Sequence, residues 1–318
     1  MAVNGSSLVV IALGGNAINP PKDTSLSDHE GWQVLQKTTE EIARLIQAGH
    51  EVVLVHGNGP QVGALLLQNE EARSIVPLAT LDVCDAETQG QLGYMVQQLL
   101  GNQLRRMGID KAVASLVTQI VVDRGDPAFG DPTKPIGPVY TAERAQELAQ
   151  ERGYHVHEVH PGAWRRVVPS PRPLRMVEAL VLKALLASGA VPVVAGGGGI
   201  PVVERDGLLA GVEAVIDKDY SAELVATELG AEMLVILTDV DRVYLDFDTP
   251  RAKPLDQLTV TKGWRYLREG HFPPGSMGPK VEACLRFLEH GGQAAVIAPL
   301  PYARTAVAGT AGTRIVKE

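Results

Sequence analysis

The sequence predicts an α/β fold built on a mainly parallel sheet covered by helices, and three observations predict it. Short β-branched apolar runs recur along the chain, several of them run straight into glycine, and the segments between them carry apolar residues at helical spacing. The first run, 8–13, leads into Gly14 and Gly15, and the second, 51–55, leads through His56 into Gly57. Leu92, Met95, Val96, Leu99, Leu100 and Leu104 then step by threes and fours, which puts one apolar stripe on a helix. Ala114 to Val122 reads as a third strand. The stretch 123–173 breaks both periodicities with prolines at 127, 132, 135, 138, 161, 169, 171 and 173, so it reads as an inserted subdomain. Val177, Leu180, Val181, Ala184 and Leu185 return to helical spacing, and 191–195 is the next strand. Arg205, Asp206 and Gly207 supply turn chemistry between Val202–Val203 and Leu208–Leu209, a hairpin. Ala222, Val225, Ala226 and Leu229 predict a helix stopped by Gly230, followed by strands over 233–237 and 294–297.

Composition narrows the function. A chain of 318 residues holds about two domains or one large α/β unit, and 45% hydrophobic residues are enough for a sizeable core. Lys and Arg number 29 against 37 Asp and Glu, a net charge of −8, which argues against nucleic acid as a partner because phosphate backbones are gripped by surplus cations. The longest apolar stretches fall short of the roughly 18 residues that cross a bilayer, so no membrane partner is expected. Residues 1–7 hold no basic region followed by an apolar block, and the expected compartment is the cytoplasm. Cys84 and Cys284 stand far apart in no metal-ligand spacing and read as buried, reduced thiols.

The ligand crevice of a parallel sheet lies at the carboxyl ends of its strands. Three glycine clusters fall there: Gly14, Gly15 and Asn16; Gly57, Asn58, Gly59 and Pro60; and Gly196 to Gly199. Glycine permits positive φ and close approach, and a following helix turns its partly positive end to the same spot, so an anion is the natural guest. Any one cluster is also explained as a tight strand-to-helix turn. Neither GxxxxGK[ST] nor GxGxxG is present, which removes the main signatures of Walker ATPases and dinucleotide enzymes.

Two lysines stand where a helix dipole opposes them. Lys280 follows Pro279, a residue suited to the first helical position, and Lys218 lies between Asp217 and Asp219 just before a helix. Asp219 also reads as that helix's N-cap. Lysines at helix starts beside glycine loops point to a polyphosphate, whose transferring group needs fixed positive charge. Lys134, stiffened between Pro132 and Pro135, is the third candidate, with a solvated surface lysine as its alternative. Asp239 and Asp241, after the strand at 233–237, suggest metal or ribose contacts or, equally, Asx-turn chemistry. His155 and His157 share a strand face and resemble a metal pair, but alternation turns Glu158 the other way.

Eight blocks carry a resemblance to a known family. They are ALGGNAI at 12–18, HGNGPQVG at 56–63, DPTKPIG at 131–137, VVPSP at 167–171, GGGGIPVV at 196–203, GVEAVIDKD at 211–219, LTDVDRVY at 237–244 and GSMGPK at 275–280. Together they resemble the carbamate kinases. The resemblance implies the amino-acid-kinase fold, a three-layer αβα sandwich in one domain over 1–318. An amino-terminal lobe (1–190) would serve the carbamoyl side, a carboxyl-terminal lobe (191–318) the nucleotide, and 123–173 would be the family's protruding subdomain. A homodimer is implied as well. Asp85, Ala86 and Glu87 depart from the smaller, less charged sequence of many relatives, which bears on helix packing or dimer contacts rather than on chemistry.

The reaction so implied is Mg²⁺-assisted, reversible phosphoryl transfer between ATP with carbamate and ADP with carbamoyl phosphate, commonly run toward ATP. Carbamate attacks through an oxygen that is already anionic, so no general base is needed and His56 is expendable as one. By resemblance, Gly14, Gly15, Asn16, Gly57, Asn58, Gly59 and Lys134 would cradle carbamate or carbamoyl phosphate. Lys218 and Lys280 would bridge the transferred phosphoryl, with Asp219 organising both. Asp241, Tyr244, Ser276, Met277 and Gly278 would meet the nucleotide, and Mg²⁺ would be held mainly by phosphates, with no dedicated protein ligands.

Overall fold

Alternation along parallel strands decides the layers. In the computed structural model, which describes residues 7–14, 28–247 and 249–318, the chain runs β1 (Leu8–Leu13), α1 (Asp28–Gln47), β2 (Glu51–His56), α2 (Gly59–Ala72), α3 (Leu81–Arg106), β3 (Val113–Ser115) and β4 (Gln119–Val122). Next come β5 (Lys134–Tyr140), α4 (Ala142–Arg152), β6 (His155–His160), β7 (Ala163–Val168), β8 (Pro173–Met176) and α5 (Ala179–Ala187). The middle of the chain continues with β9 (Val191–Val194), β10 (Ile200–Arg205), β11 (Leu208–Gly211), α6 (Lys218–Leu229), β12 (Met233–Thr238), β13 (Val243–Leu245) and β14 (Lys253–Leu255). The last elements are β15 (Gln257–Thr259), α7 (Val260–Arg268), α8 (Met277–Glu289), β16 (Ala294–Pro299), α9 (Ala303–Val307) and β17 (Thr313–Val316).

An eight-stranded sheet in the order β15-β17-β16-β12-β1-β2-β9-β3 forms the middle layer, and each neighbouring pair is parallel except β16 with β17. One face of it, with Val10, Ala12, Val53 and Val55, packs on Ala222 and Val225 of α6 and Val281 and Leu285 of α8. The opposite face, with Val9, Ile11, Leu13, Val52 and Leu54, packs on Leu35 and Ile42 of α1 and Leu92, Val96 and Leu100 of α3. Both faces of β1, β2, β9, β12 and β16 are covered, which is why these runs are continuously apolar. Burying each such side chain contributes roughly 1.5 to 3 kcal/mol of transfer free energy. The expected αβα layering is present, and its parallel strands bring the loops after β1, β2, β9 and β12 to one edge.

Two expectations are corrected. Ala114 to Val122 is not one strand: β3 belongs to the large sheet, whereas β4 joins a second sheet in the order β11-β10-β4-β8. The switch occurs at Thr118, whose N–H donates to Gln89 Oε1 at 2.7 Å while its hydroxyl accepts from the Ala195 N–H at 3.1 Å. Its N–H thus leaves the large sheet, and its carbonyl accepts from the Ile200 N–H at 2.9 Å where β4 begins to pair with β10. On α5 the spacing identified an apolar stripe but not its direction. Leu182 is the buried residue, whereas Leu180 is 83% and Val181 49% exposed, and Val177 precedes the helix.

The predicted hairpin forms as β10 and β11, turning at Asp206 (φ 53) and Gly207 (φ 76), the pair of left-handed residues that a type I′ turn requires. Residues 123–173 leave the body along β4 and return along β8, two strands paired antiparallel with Val122 opposite Pro173. Between them β5-β7-β6 makes a three-stranded sheet of its own. At the point of return Arg172 lies 3.6 Å from the centre of the Tyr220 ring on α6 and donates to both carboxylate oxygens of Glu282 on α8 at 2.8 Å. No helix among the described residues is long and apolar enough to cross a membrane.

Candidate active site

The loop after β9 is shaped by close approach. Ala195 (φ 47) starts a 3-10 turn over Gly196–Gly198. A Cβ on Gly198 (φ +102) would lie 2.1 Å from the Ile216 carbonyl oxygen, and one on Gly197 would lie 2.3 Å from Asn58 Nδ2. Only glycine fits at either position. The Ser221 hydroxyl on α6 fixes the loop by donating to the Gly198 carbonyl at 2.6 Å.

Beside this loop stands a cluster of cations. Asp217, not Asp219, caps α6, its Oδ1 accepting from the Asp219 N–H at 3.0 Å. Capping by the earlier aspartate leaves the Asp219 carboxylate free to receive Lys218 Nζ on Oδ1 at 2.6 Å and Lys280 Nζ on Oδ2 at 2.7 Å. Lys134 Nζ reaches Asp217 Oδ2 at 2.6 Å. Helix α8 begins at Met277, so Pro279 is its third residue rather than its first, and Lys280 sits one turn in. Burial pulls the Lys218 ammonium down against the attraction of Asp219. For Lys280 burial acts the same way, but Asp219 outweighs it and the pKa rises. Burial would raise Asp219, yet the two lysines hold it well below the usual carboxylate range, and Asp217 is lowered likewise by Lys134.

These groups line a cavity of about 230 Å³ together with Gly57, Asn58, Gly59, Gly197 and Ser276. A second cavity of about 230 Å³, lined by Thr238, Tyr244, Phe247, Pro273 and Met277, shares Ser276 and Lys280 with the first. An anion bound in one and a nucleotide in the other would therefore meet at the Lys280 ammonium.

Sequence reasoning missed Arg165. It lies on β7, lines the first cavity and donates through Nη2 to the Gly137 carbonyl at 2.8 Å. Its Nε has no hydrogen-bond partner, burial lowers its pKa, and no carboxylate is paired with it among the described residues. A guanidinium so placed suits an anionic ligand. The only signal in the sequence was its pairing distance from the PTKPIG segment, since β5 and β7 run antiparallel with Lys134 opposite Val168.

Several expected residues stand elsewhere. Gly15 and Asn16 lie outside the described residues, while Gly14 donates its N–H to the Leu237 carbonyl at 3.1 Å at the same edge of the sheet without lining either cavity. Asp241 is exposed and accepts from the Tyr244 hydroxyl at 3.0 Å, with Arg242 rather than Asp241 in the wall of the second cavity. Gly278 is buried behind that wall, donating to the Pro273 carbonyl at 3.0 Å. His56 is 1% exposed, burial lowers its pKa to about 4, and its Nδ1 bonds the Gly57 carbonyl at 3.1 Å, so it is neutral and outside the cavity. Asn58 gives its amide nitrogen to Asp85 and Thr88 rather than to the pocket. His155 and His157 are exposed, and no metal-binding group of His, Cys, Asp or Glu occurs among the described residues. A larger cavity, about 520 Å³, lies between α2 and β7, but its Arg152 and Arg166 are each paired with a glutamate, Glu70 and Glu213.

Comparison with known proteins bears on this geometry. Residues 7–299 match the profile of the amino acid kinase family. A carbamate kinase of Thermococcus kodakarensis is 49% identical over 98% of this chain and 99% of its own length, and one of Pyrococcus horikoshii is 47% identical over 96% and 98%. The structure of carbamate kinase from Giardia lamblia bound to AMP-PNP superposes with a TM-score of 0.91 at 38% identity, covering all of both chains.

Proposed function

Because the chain belongs to the amino acid kinase family, we propose that it is a carbamate kinase, transferring a phosphoryl group reversibly between carbamoyl phosphate with ADP and carbamate with ATP. The observation that carries this reading is the junction of two cavities at Lys280, with Asp219 holding Lys218 and Lys280 on its two oxygens. In the direction of ATP formation, the bond from the carbamoyl oxygen to phosphorus breaks, the β-phosphate oxygen of ADP forms the new bond, and carbamate leaves as an anion. No proton need move at either oxygen. Catalysis therefore consists of holding two anions in line and neutralising the charge that spreads over the transferred group.

Lys218 and Lys280 supply that charge. Their shared carboxylate prevents the two ammonium groups from repelling each other apart, so they are oriented before substrate arrives. Lys134, Arg165 and the loop over Gly57 to Gly59 cradle carbamate or the carbamoyl phosphate oxygens, while Tyr244, Met277 and Ser276 contact the nucleotide. Asp217 and Asp219 are both engaged by lysines. With both carboxylates so engaged, Mg²⁺ would be carried on the nucleotide phosphates, whose charge it would neutralise. The use is ATP synthesis, in the cytoplasm. The decisive assay mixes the purified chain, Mg²⁺, ADP and carbamoyl phosphate, with acetyl phosphate and an acylglutamyl phosphate as controls. ATP should form from carbamoyl phosphate selectively, and equal or greater yield from a control would overturn the reading.

We propose 123–173 as a protruding subdomain inserted in a carbamoyl lobe (1–190), 191–318 as a nucleotide lobe, and the protein as a homodimer. The exposed Val117, Leu180 and Val181 support the dimer as apolar surface left over in a single chain. Light scattering after size exclusion should give twice the chain mass of 33.9 kDa. A monomer at micromolar concentration would contradict it.

A further inference from the structure

Asn58 occupies the N-cap of α2, yet its side chain makes no capping hydrogen bond there. An asparagine at this position ordinarily accepts from the first-turn N–H groups of its own helix. Here the side chain turns to α3 instead, where its amide nitrogen donates to Asp85 Oδ1 at 2.7 Å and to Thr88 Oγ1 at 2.9 Å. Thr88 fixes this orientation, because its own hydroxyl hydrogen goes to the Asp85 carbonyl at 2.8 Å and only a lone pair is left for Asn58. Asp85 is fully buried and its second carboxylate oxygen has no partner. One residue along, Gln89 donates to the carbonyls of Thr118 and Gly196, so one buried turn of α3 holds both the loop after β2 and the loop after β9. The Asp85–Glu87 departure, expected to bear on helix packing or dimer contacts, thus also sets Asp85 against a residue that lines the pocket.

We propose that Asp85 is a positioning residue of the anion pocket: with Thr88 it draws the Asn58 side chain off the N-terminus of α2 and so leaves the first-turn N–H groups of that helix, those of Gly59 and Gln61 because Pro60 has none, to the substrate's phosphate. A helix start whose own cap is diverted keeps its unsatisfied N–H groups and its partial positive charge for a ligand. Gly197 belongs to the same arrangement, since any side chain there would push into the Asn58 amide. Burial raises the Asp85 carboxyl to about 8 against the hydrogen bond from Asn58, so near neutrality it stands mainly as the uncharged acid. An asparagine would keep the acceptor in that form.

The inference rests on carbamoyl phosphate being the ligand of this pocket, and its test separates the two. In Asp85→Val, the KM for carbamoyl phosphate should rise about tenfold, the low end of the loss expected when one amide hydrogen bond to an anion is forfeited. The KM for ADP and the melting temperature should stay near those of the unmodified chain, because the freed Asn58 can cap α2. Asp85→Asn should restore the unmodified KM. Thr88→Val, which removes the other acceptor, should act in the same direction if Asp85→Val folds poorly. A parallel thermal-shift titration with inorganic phosphate should show weaker binding to Asp85→Val and unchanged binding to Asp85→Asn. That arm tests Asp85 even if carbamoyl phosphate gives no turnover, an outcome that would sink the functional reading alone. Unchanged affinity in both arms for Asp85→Val, equal rises in both KM values, or failure of Asp85→Asn to restore would each overturn the positioning role.

Discussion

The two sides of the pocket offer an anion different physics. On the α6 and α8 side, Lys218 and Lys280 are full charges kept in place by one buried carboxylate, at 2.6 and 2.7 Å. On the β2 and β9 side, the pocket is lined by uncharged residues of the glycine-rich loops, Gly57, Asn58, Gly59 and Gly197, held from behind by the turn of Asp85, Thr88 and Gln89, and what such loops can offer an anion is their remaining backbone amides. Charge can follow a group as it moves between two oxygens, because its field is broad. Amides act only along their N–H directions and so fix where one end of the substrate sits. Transfer should therefore depend mainly on the first side, and selection of the carbamoyl end mainly on the second.

The largest effect should come from the charged side. Lys280→Ala and Lys218→Ala should each lower kcat roughly a hundredfold or more, the loss typical of removing one group that stabilises transition-state charge. Steady-state turnover within a few-fold of the unmodified enzyme would break the comparison at its root. A smaller and differently distributed effect should follow from the wall contributed by residues 123–173. Lys134→Ala and Arg165→Gln should raise the KM for carbamoyl phosphate by about tenfold, worth roughly 1.4 kcal/mol of binding, with the KM for ADP little changed. Parallel increases in both constants would show that this wall does not discriminate between the two substrates.

What was legible in the sequence was local. Strand runs ending in glycine, and lysines at helix starts, declare themselves within a few residues, and Lys218, Lys280 and Lys134 do converge on one cavity. What was not legible depended on contacts between distant segments. Arg165 enters the pocket only because β7 pairs with β5, and Asp85 meets Asn58 across a separation of 27 positions. Periodicity found the apolar residues of α5 but not which of them would face the sheet, since a stripe specifies a face and not a partner. The break in 114–122 was hidden because Thr118, a good strand former, is drawn away by Gln89, a residue 29 positions earlier.

The side-by-side pairing of β4 and β8 makes residues 123–173 topologically detachable. Their two ends sit one strand spacing apart, about 4.8 Å, and a tight turn could bridge them with the parallel sheet left whole. A chain trimmed in that way would keep the core clusters on the two faces of the main sheet, its glycine loops and the Asp219 pair, while shedding Lys134 and Arg165 together with Ile136 and Val168, which pack on Val62 and Leu81. On the proposed reading, two of the cations that would receive carbamoyl phosphate thus travel on one appendage, while the pair that would meet the transferred phosphoryl stays in the trunk.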